Sequence, residues 1–97
     1  MFLILTTKPG QFRTELGAPL RQVEAWEYTA HGRVRAVFMI AELEGDTKIR
    51  IVDEGPHPVV NQVPSKFFPQ FATLEEARNE LHKLSGSRSG NVSLARL

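Results

Sequence analysis

Apolar and polar positions alternate most regularly between residues 22 and 53. Side chains of an extended strand point to opposite faces in turn, so this alternation predicts strands, here over 22–30, 33–43 and 47–53. The joints carry His31-Gly32 and Gly45-Asp46. Glycine supplies the positive φ that a two-residue hairpin turn needs, and aspartate tolerates it. With two-residue turns the register follows by counting. Ala30 faces Arg33, Tyr28 faces Arg35, Trp26 faces Val37 and Glu24 faces Met39. In the second hairpin Ile40 faces Ile51, Ala41 faces Arg50 and Leu43 faces Lys48.

The expected meander has two unlike faces. One holds Val23, Ala25, Val34, Ala36, Phe38, Ile40, Ile49 and Ile51, with Glu27 and Thr29 towards one end, and reads as a core face. The other holds Trp26, Tyr28, Val37, Met39, Ala41 and Val52, fringed by Arg33, Arg35, Lys48 and Arg50. That second face is more apolar than a one-sided sheet requires.

The flanks complete the architecture. Phe2-Leu3-Ile4-Leu5, stopped by Pro9-Gly10, reads as a strand buried on both faces. Residues 11–20 fit a helical turn or an irregular crossing equally, and Gly17 and Pro19 end them. Pro56, Pro58, Pro64 and Pro69 prevent a regular helix or central strand over 55–70. Val59, Val60, Val63, Phe67 and Phe68 make that segment a crossing loop lying against the body, with room for an edge strand around 66–71. A helix is expected over 74–85. Thr73 is its N-cap and Glu76 completes a capping box. Leu74, Ala77, Leu81 and Leu84 form an apolar stripe. Glu75 and Glu76, then His82 and Lys83, suit the two ends of the helix dipole, and Gly86 is the stop.

The expected fold class is therefore α+β: a mainly antiparallel sheet of four to five strands, including the meander 22–53, with one C-terminal helix packed on one face. Residues 1–86 make a single domain, and the Ser/Gly/Arg-rich residues 87–97 a flexible tail.

Composition narrows the function classes. The chain has 97 residues, enough for one core. Its formal net charge of +1 is low for a protein that binds by neutralising phosphates. The absence of cysteine removes disulfide and thiol chemistry and suits a reducing compartment, so a cytoplasmic location is the default. The N-terminal Met1-Phe2-Leu3-Ile4-Leu5 lacks the basic and extended apolar parts of a signal peptide. No apolar run approaches the roughly 18 residues of a membrane span.

No catalytic residue, metal ligand or cofactor is expected. Asp53, Glu54 and His57 are the densest ionisable cluster, but Pro56 and Pro58 hold His57 extended, and a solvated strand end explains the three. An enzyme built around them is a remote alternative. His31, His57 and His82 fall in a turn, a loop and a helix end, without the close pairing of zinc ligands. No nucleophile elbow or phosphate-binding glycine motif is present.

The leading expectation is a non-enzymatic interaction module. Trp26, Tyr28, Arg33, Arg35, Val37, Met39, Lys48 and Arg50 are its candidate contacts with a protein partner or a second copy, because aromatic residues, Met and Arg anchor interfaces. Nucleic acid is the alternative, with bases stacking on the rings and basic groups meeting phosphates. "YTAHGRVRAVFMI" followed by the helix start "FATLEEARNEL" is similar in layout to small sheet-reading DNA-binding domains such as the arm domains of phage integrases. The Pro-rich stretch between them and the weak charge depart from that pattern, and no family is assigned.

Overall fold

The turn at His31-Gly32 forms with both residues at positive φ, 52° and 76°, which closes a two-residue loop with Ala30 opposite Arg33. The hairpin it joins is the centre of the molecule. In this computed structural model, which describes residues 1–86 and 91–97, the elements run β1 (Phe2–Thr7), β2 (Phe12–Glu15), β3 (Leu20–Ala30), β4 (Arg33–Leu43), β5 (Lys48–Asp53) and β6 (Val60–Pro64). A 3₁₀ turn (Ser65–Phe67), β7 (Gln70–Phe71), α1 (Leu74–Ser85) and β8 (Val92–Arg96) follow.

The fold is α+β and antiparallel, with one helix towards the C-terminal side, as the hydrophobic pattern predicts. Five strands form one sheet in the order β7-β1-β4-β3-β8, and three form a second in the order β2-β5-β6. The pairing of β4 differs from expectation. Its neighbours are β3 and β1, with Ile4 opposite Ile40 and Leu5 opposite Met39. Strand β5 instead crosses to the second sheet, where Ile51 lies opposite Thr14 and Asn61. The alternation of Ile49 and Ile51 marks one buried face without naming the strand beside it.

The register of β3 on β4 also departs from simple counting. An extra residue, Arg35, bulges from β4 between the pairs Thr29–Val34 and Tyr28–Ala36. A second bulge at Val23 of β3 restores the count, so that Gln22 again faces Ala41. Between the bulges the strands are offset by one residue. Trp26 pairs with Phe38, not Val37, Tyr28 with Ala36, not Arg35, and Glu24 with Ile40, not Met39. A one-residue slip moves every side chain to the other face. Trp26 and Tyr28 thereby join Phe38 and Ile40, while Ala25 joins Met39.

Both faces of the large sheet are covered. On one side Ile40, Ala77 and Leu81 are fully buried, with Phe2, Ile4, Trp26, Phe38, Phe71, Leu74 and Leu94 packed around them. This is the helix layer. On the other side Leu3, Leu5, Ala41 and Leu43 meet Ile49 of the second sheet, joined by Leu16, Leu20, Met39, Ile51 and Phe68. The chain turns from one sheet to the other after β1. Thr14 locks that corner by donating its hydroxyl to the Thr6 carbonyl at 2.6 Å and its N–H to Thr7 Oγ1 at 3.0 Å.

The helix occupies Leu74–Ser85. Thr73 Oγ1 accepts from the Glu76 N–H at 3.1 Å, and Glu76 reaches back to the N–H of Ala72, one residue earlier than a standard capping box. Gly86 closes the end in the left-handed region at φ 60°. The buried stripe is Ala77, Leu81 and Ser85, with Leu74 half-buried at its start, and Leu84 is 62% exposed. Leu84 keeps helical spacing but falls to the side of the stripe in the last turn. Among the described residues no helix is long and apolar enough to cross a membrane.

Three segments expected to be irregular or helical hold strands, the first being 11–20, where Phe12–Glu15 pairs with β5 as β2. Part of the Pro-rich segment is β6, and β7 realises the edge strand expected near 66–71. Residues 92–96, read as tail, pair with β3 as β8; residues 87–90 of that expected tail lie outside the described residues. The expected stability contrast is sharp. Leu81→Ala costs about 2–5 kcal/mol and Leu84→Ala under about 0.5 kcal/mol in denaturant unfolding, and equal losses would contradict this placement of the stripe.

Candidate interaction surface

The eight contact residues expected from sequence do not form one surface. Trp26 and Tyr28 lie on the helix side of the large sheet, and Met39, with Val37 on the same face of β4, packs on the side of the second sheet. Lys48 and Arg50 belong to the second sheet, flanking the buried Ile49, and Arg50 Nε contacts Glu15 at 2.9 Å. Arg33 and Arg35 sit at the open end of the β3–β4 hairpin. The bulge and the departure of β5 together divide the expected patch.

Tyr28, Arg33 and Arg35 stay together. The Tyr28 ring meets Phe38 edge-on at 6.0 Å, and both are half-buried beside Leu94, which pairs with Tyr28. Arg35 Nε donates to the Ala30 carbonyl at 3.4 Å, so its guanidinium lies at the end of β3. Ala30 pairs with Arg33 on one side and Val92 on the other. Tyr28 thus borders strand β8, with Phe38 and both arginines one strand further in, on β4.

Sequence reading missed β8 itself. The alternation of Val92 and Leu94 was available as a signal, but the Ser/Gly-rich residues before it read as a tail. The strand is anchored by Glu24. This side chain is fully buried, on the β3 residue that the bulges turn to the helix side. Arg78 of α1 donates Nε to both carboxylate oxygens, at 2.8 and 3.1 Å, and adds an Nη2 contact. Trp26 Nε1 donates to the same carboxylate at 3.0 Å, and Arg96 of β8 approaches it to 3.6 Å. The Arg78 hydrogen bonds hold the Glu24 carboxyl below its ordinary 4.5; burial opposes them, and Trp26 and the charges of Arg78 and Arg96 reinforce them. Arg78 is raised in turn, chiefly by its hydrogen bond to Glu24. Trp26 also stacks edge-on against His82 at 5.7 Å. Helix α1, strand β3 and strand β8 therefore meet on one charge.

The other edge of β8 is open. The N–H of Leu97 donates to Ala25 O at 2.9 Å, and Asn91 O accepts from His31 N at 3.0 Å. Alternate residues of a strand turn their backbone groups to the same side. The groups of 91, 93, 95 and 97 therefore face β3, and those of Val92, Leu94 and Arg96 face outward, where no described strand pairs with them. The other sheet edges are blunted. β7 has two residues and follows Pro69, β6 is preceded by Pro58 and ends in Pro64, and β2 has four residues bordered by the Arg13–Glu15–Arg50 ion pairs. Short edges, prolines and charges are the usual protections, and β8 lacks a proline, a bulge or an unpaired charge.

Asp53, Glu54 and His57 do not converge. Asp53 Oδ1 accepts from Gly55 N at 2.8 Å, Glu54 Oε1 accepts from Gly10 N at 3.2 Å, and His57 is exposed in the loop before β6. Asp53 lines an open cleft of about 490 Å³ with Gly10, Gln11, Phe12, Ile51 and Asn61. Among the described residues no cluster of three His, Cys, Asp or Glu is placed to hold a metal ion. No family model matches the chain, and no curated protein or solved structure matches it significantly.

The Glu24 network predicts an acid-side signature. A carboxyl held below its ordinary value stabilises the fold fully above that value, and the contribution is lost as pH falls through the lowered pKa. Glu24→Gln is expected to be less stable at neutral pH and to lose less stability than the parent on acidification, in denaturant melts at stepped pH. Parallel pH profiles for the two proteins would remove Glu24 from this role.

Proposed function

We propose that the protein is a non-enzymatic interaction module that docks an extended segment of a partner protein along the outward edge of β8. The observation that carries this reading is that edge. It presents backbone donors and acceptors at Val92, Leu94 and Arg96, with the half-buried Tyr28 one strand behind it and Phe38 two, while the other edges are short, charged or interrupted by proline. Strand addition uses these parts: backbone hydrogen bonds give affinity, and alternate side chains give selectivity. Both faces of the large sheet are already packed, which leaves its edge as the element open to a partner. The half-exposed ring pair next to Arg33 and Arg35 favours single-stranded nucleic acid as the second reading.

The two orientations along β8 separate docking from folding. Val92→Pro removes an outward N–H and is expected to abolish binding of a synthetic peptide of alternating Val and Thr, with little change in stability. Ser93→Pro removes a bond to β3 and is expected to cost about 1–3 kcal/mol of stability. Binding would be followed by amide hydrogen exchange. Undiminished peptide binding by the folded Val92→Pro protein would rule out this edge.

A further inference from the structure

We infer that the segment received by β8 is acidic at the end that passes Val92; this rests on the docking reading above. The argument begins from the pairing of arginines. Arg13, Arg21, Arg50, Arg78 and Arg96 each have a carboxylate partner. Arg33 and Arg35 are exposed and have none among the described residues. Both lie at the end of the hairpin where Ala30 stands between Arg33 and Val92, and Arg35 is fixed there by its bond to the Ala30 carbonyl. The uncompensated positive charge of this region therefore sits at one end of the open edge. At the other end, Arg96 is already committed to Glu24.

Distance sets the size of the effect. Neighbouring strands lie about 4.8 Å apart, and β3 and β8 stand between β4 and an added strand, which therefore runs roughly 14 Å from the Arg33 backbone. That exceeds the Debye length of about 8–10 Å at physiological salt, and the reach of the arginine and glutamate side chains brings the charges within it. The attraction is thus a solvent-screened one that orients the incoming segment and adds modestly to backbone bonding. Antiparallel pairing of β8 with a second copy would bring that copy's Arg96, itself paired with Glu24, to the same end, where it offers Arg33 and Arg35 no carboxylate. An acidic segment of another protein supplies one.

The experiment uses three synthetic peptides of alternating Val and Thr that end in paired Glu, Gln or Lys, each titrated into the full chain. The expected result is slowed hydrogen exchange at Val92, Leu94 and Arg96, with the Glu peptide about threefold to tenfold tighter than the Gln peptide at low salt. That preference should disappear at high salt and in the Arg33→Gln, Arg35→Gln double variant, which should still bind the Gln peptide. Equal affinities for all three peptides would overturn the inference and leave edge docking standing. No protection by any peptide would overturn both. Protection that grows with protein concentration and accompanies a doubled mass would assign the edge to a second copy and overturn the inference. Salt-sensitive binding of a short oligothymidine that competes with the Glu peptide and is lost in the double variant would assign the arginines to nucleic acid, which overturns the inference as well.

Discussion

The buried carboxylate of Glu24 is the point on which the arrangement turns. A charge withdrawn from water costs several kcal/mol unless it is paired and hydrogen-bonded. Glu24 meets that condition only because three elements converge on it: Arg78 from the helix, Trp26 from its own strand and Arg96 from β8. Remove any one position and the others lose their reason. Without the register offset between the bulges, Glu24 would point away from the helix. Without α1 in its observed place, Arg78 could not reach it. The network makes the positions of helix and edge strand mutually dependent, which nonspecific apolar burial does poorly.

The two bulges illustrate how a small irregularity distributes surface between core and solvent. With perfect counting, Trp26 and Tyr28 would share a face with Val37 and Met39. The offset instead gathers the aromatic residues under the helix and leaves small or aliphatic ones, such as Ala25 and Met39, on the side of the second sheet. Three layers follow, with the five-stranded sheet in the middle. A central sheet covered on both sides has only its rims to offer a partner, and three of the four rims here are protected.

Legibility in the sequence followed the range of the determining contacts. The helix and its ends were readable because capping, the apolar stripe and the stop all lie within a few residues of one another. The His31-Gly32 turn was readable for the same reason. A bulge leaves no such trace: the alternation on either side of Arg35 and Val23 is intact, and only the partner strand reveals the extra residue. Partner choice is equally nonlocal, so Ile49 and Ile51 look alike whether β5 joins β4 or β2. Leu84 had the right spacing, yet in the last turn the buried position fell to Ser85 beside it. The charges at Arg33 and Arg35 were visible from the start, whereas their lack of carboxylate partners among the described residues became visible only once Arg13, Arg21, Arg50, Arg78 and Arg96 had been placed.

The position of β8 also orders the assembly of the chain. The β3–β4 hairpin closes through residues adjacent in sequence, but β8 returns to β3 from the far end and must close a much longer loop. As a ribosome releases this polypeptide, the outer edge of β3 therefore emerges long before its neighbour exists. The nascent chain carries an open edge one strand further in than the finished protein does. Completing synthesis shifts that vacancy outward, from one strand of the hairpin to a strand that pairs with it and shares its buried charge.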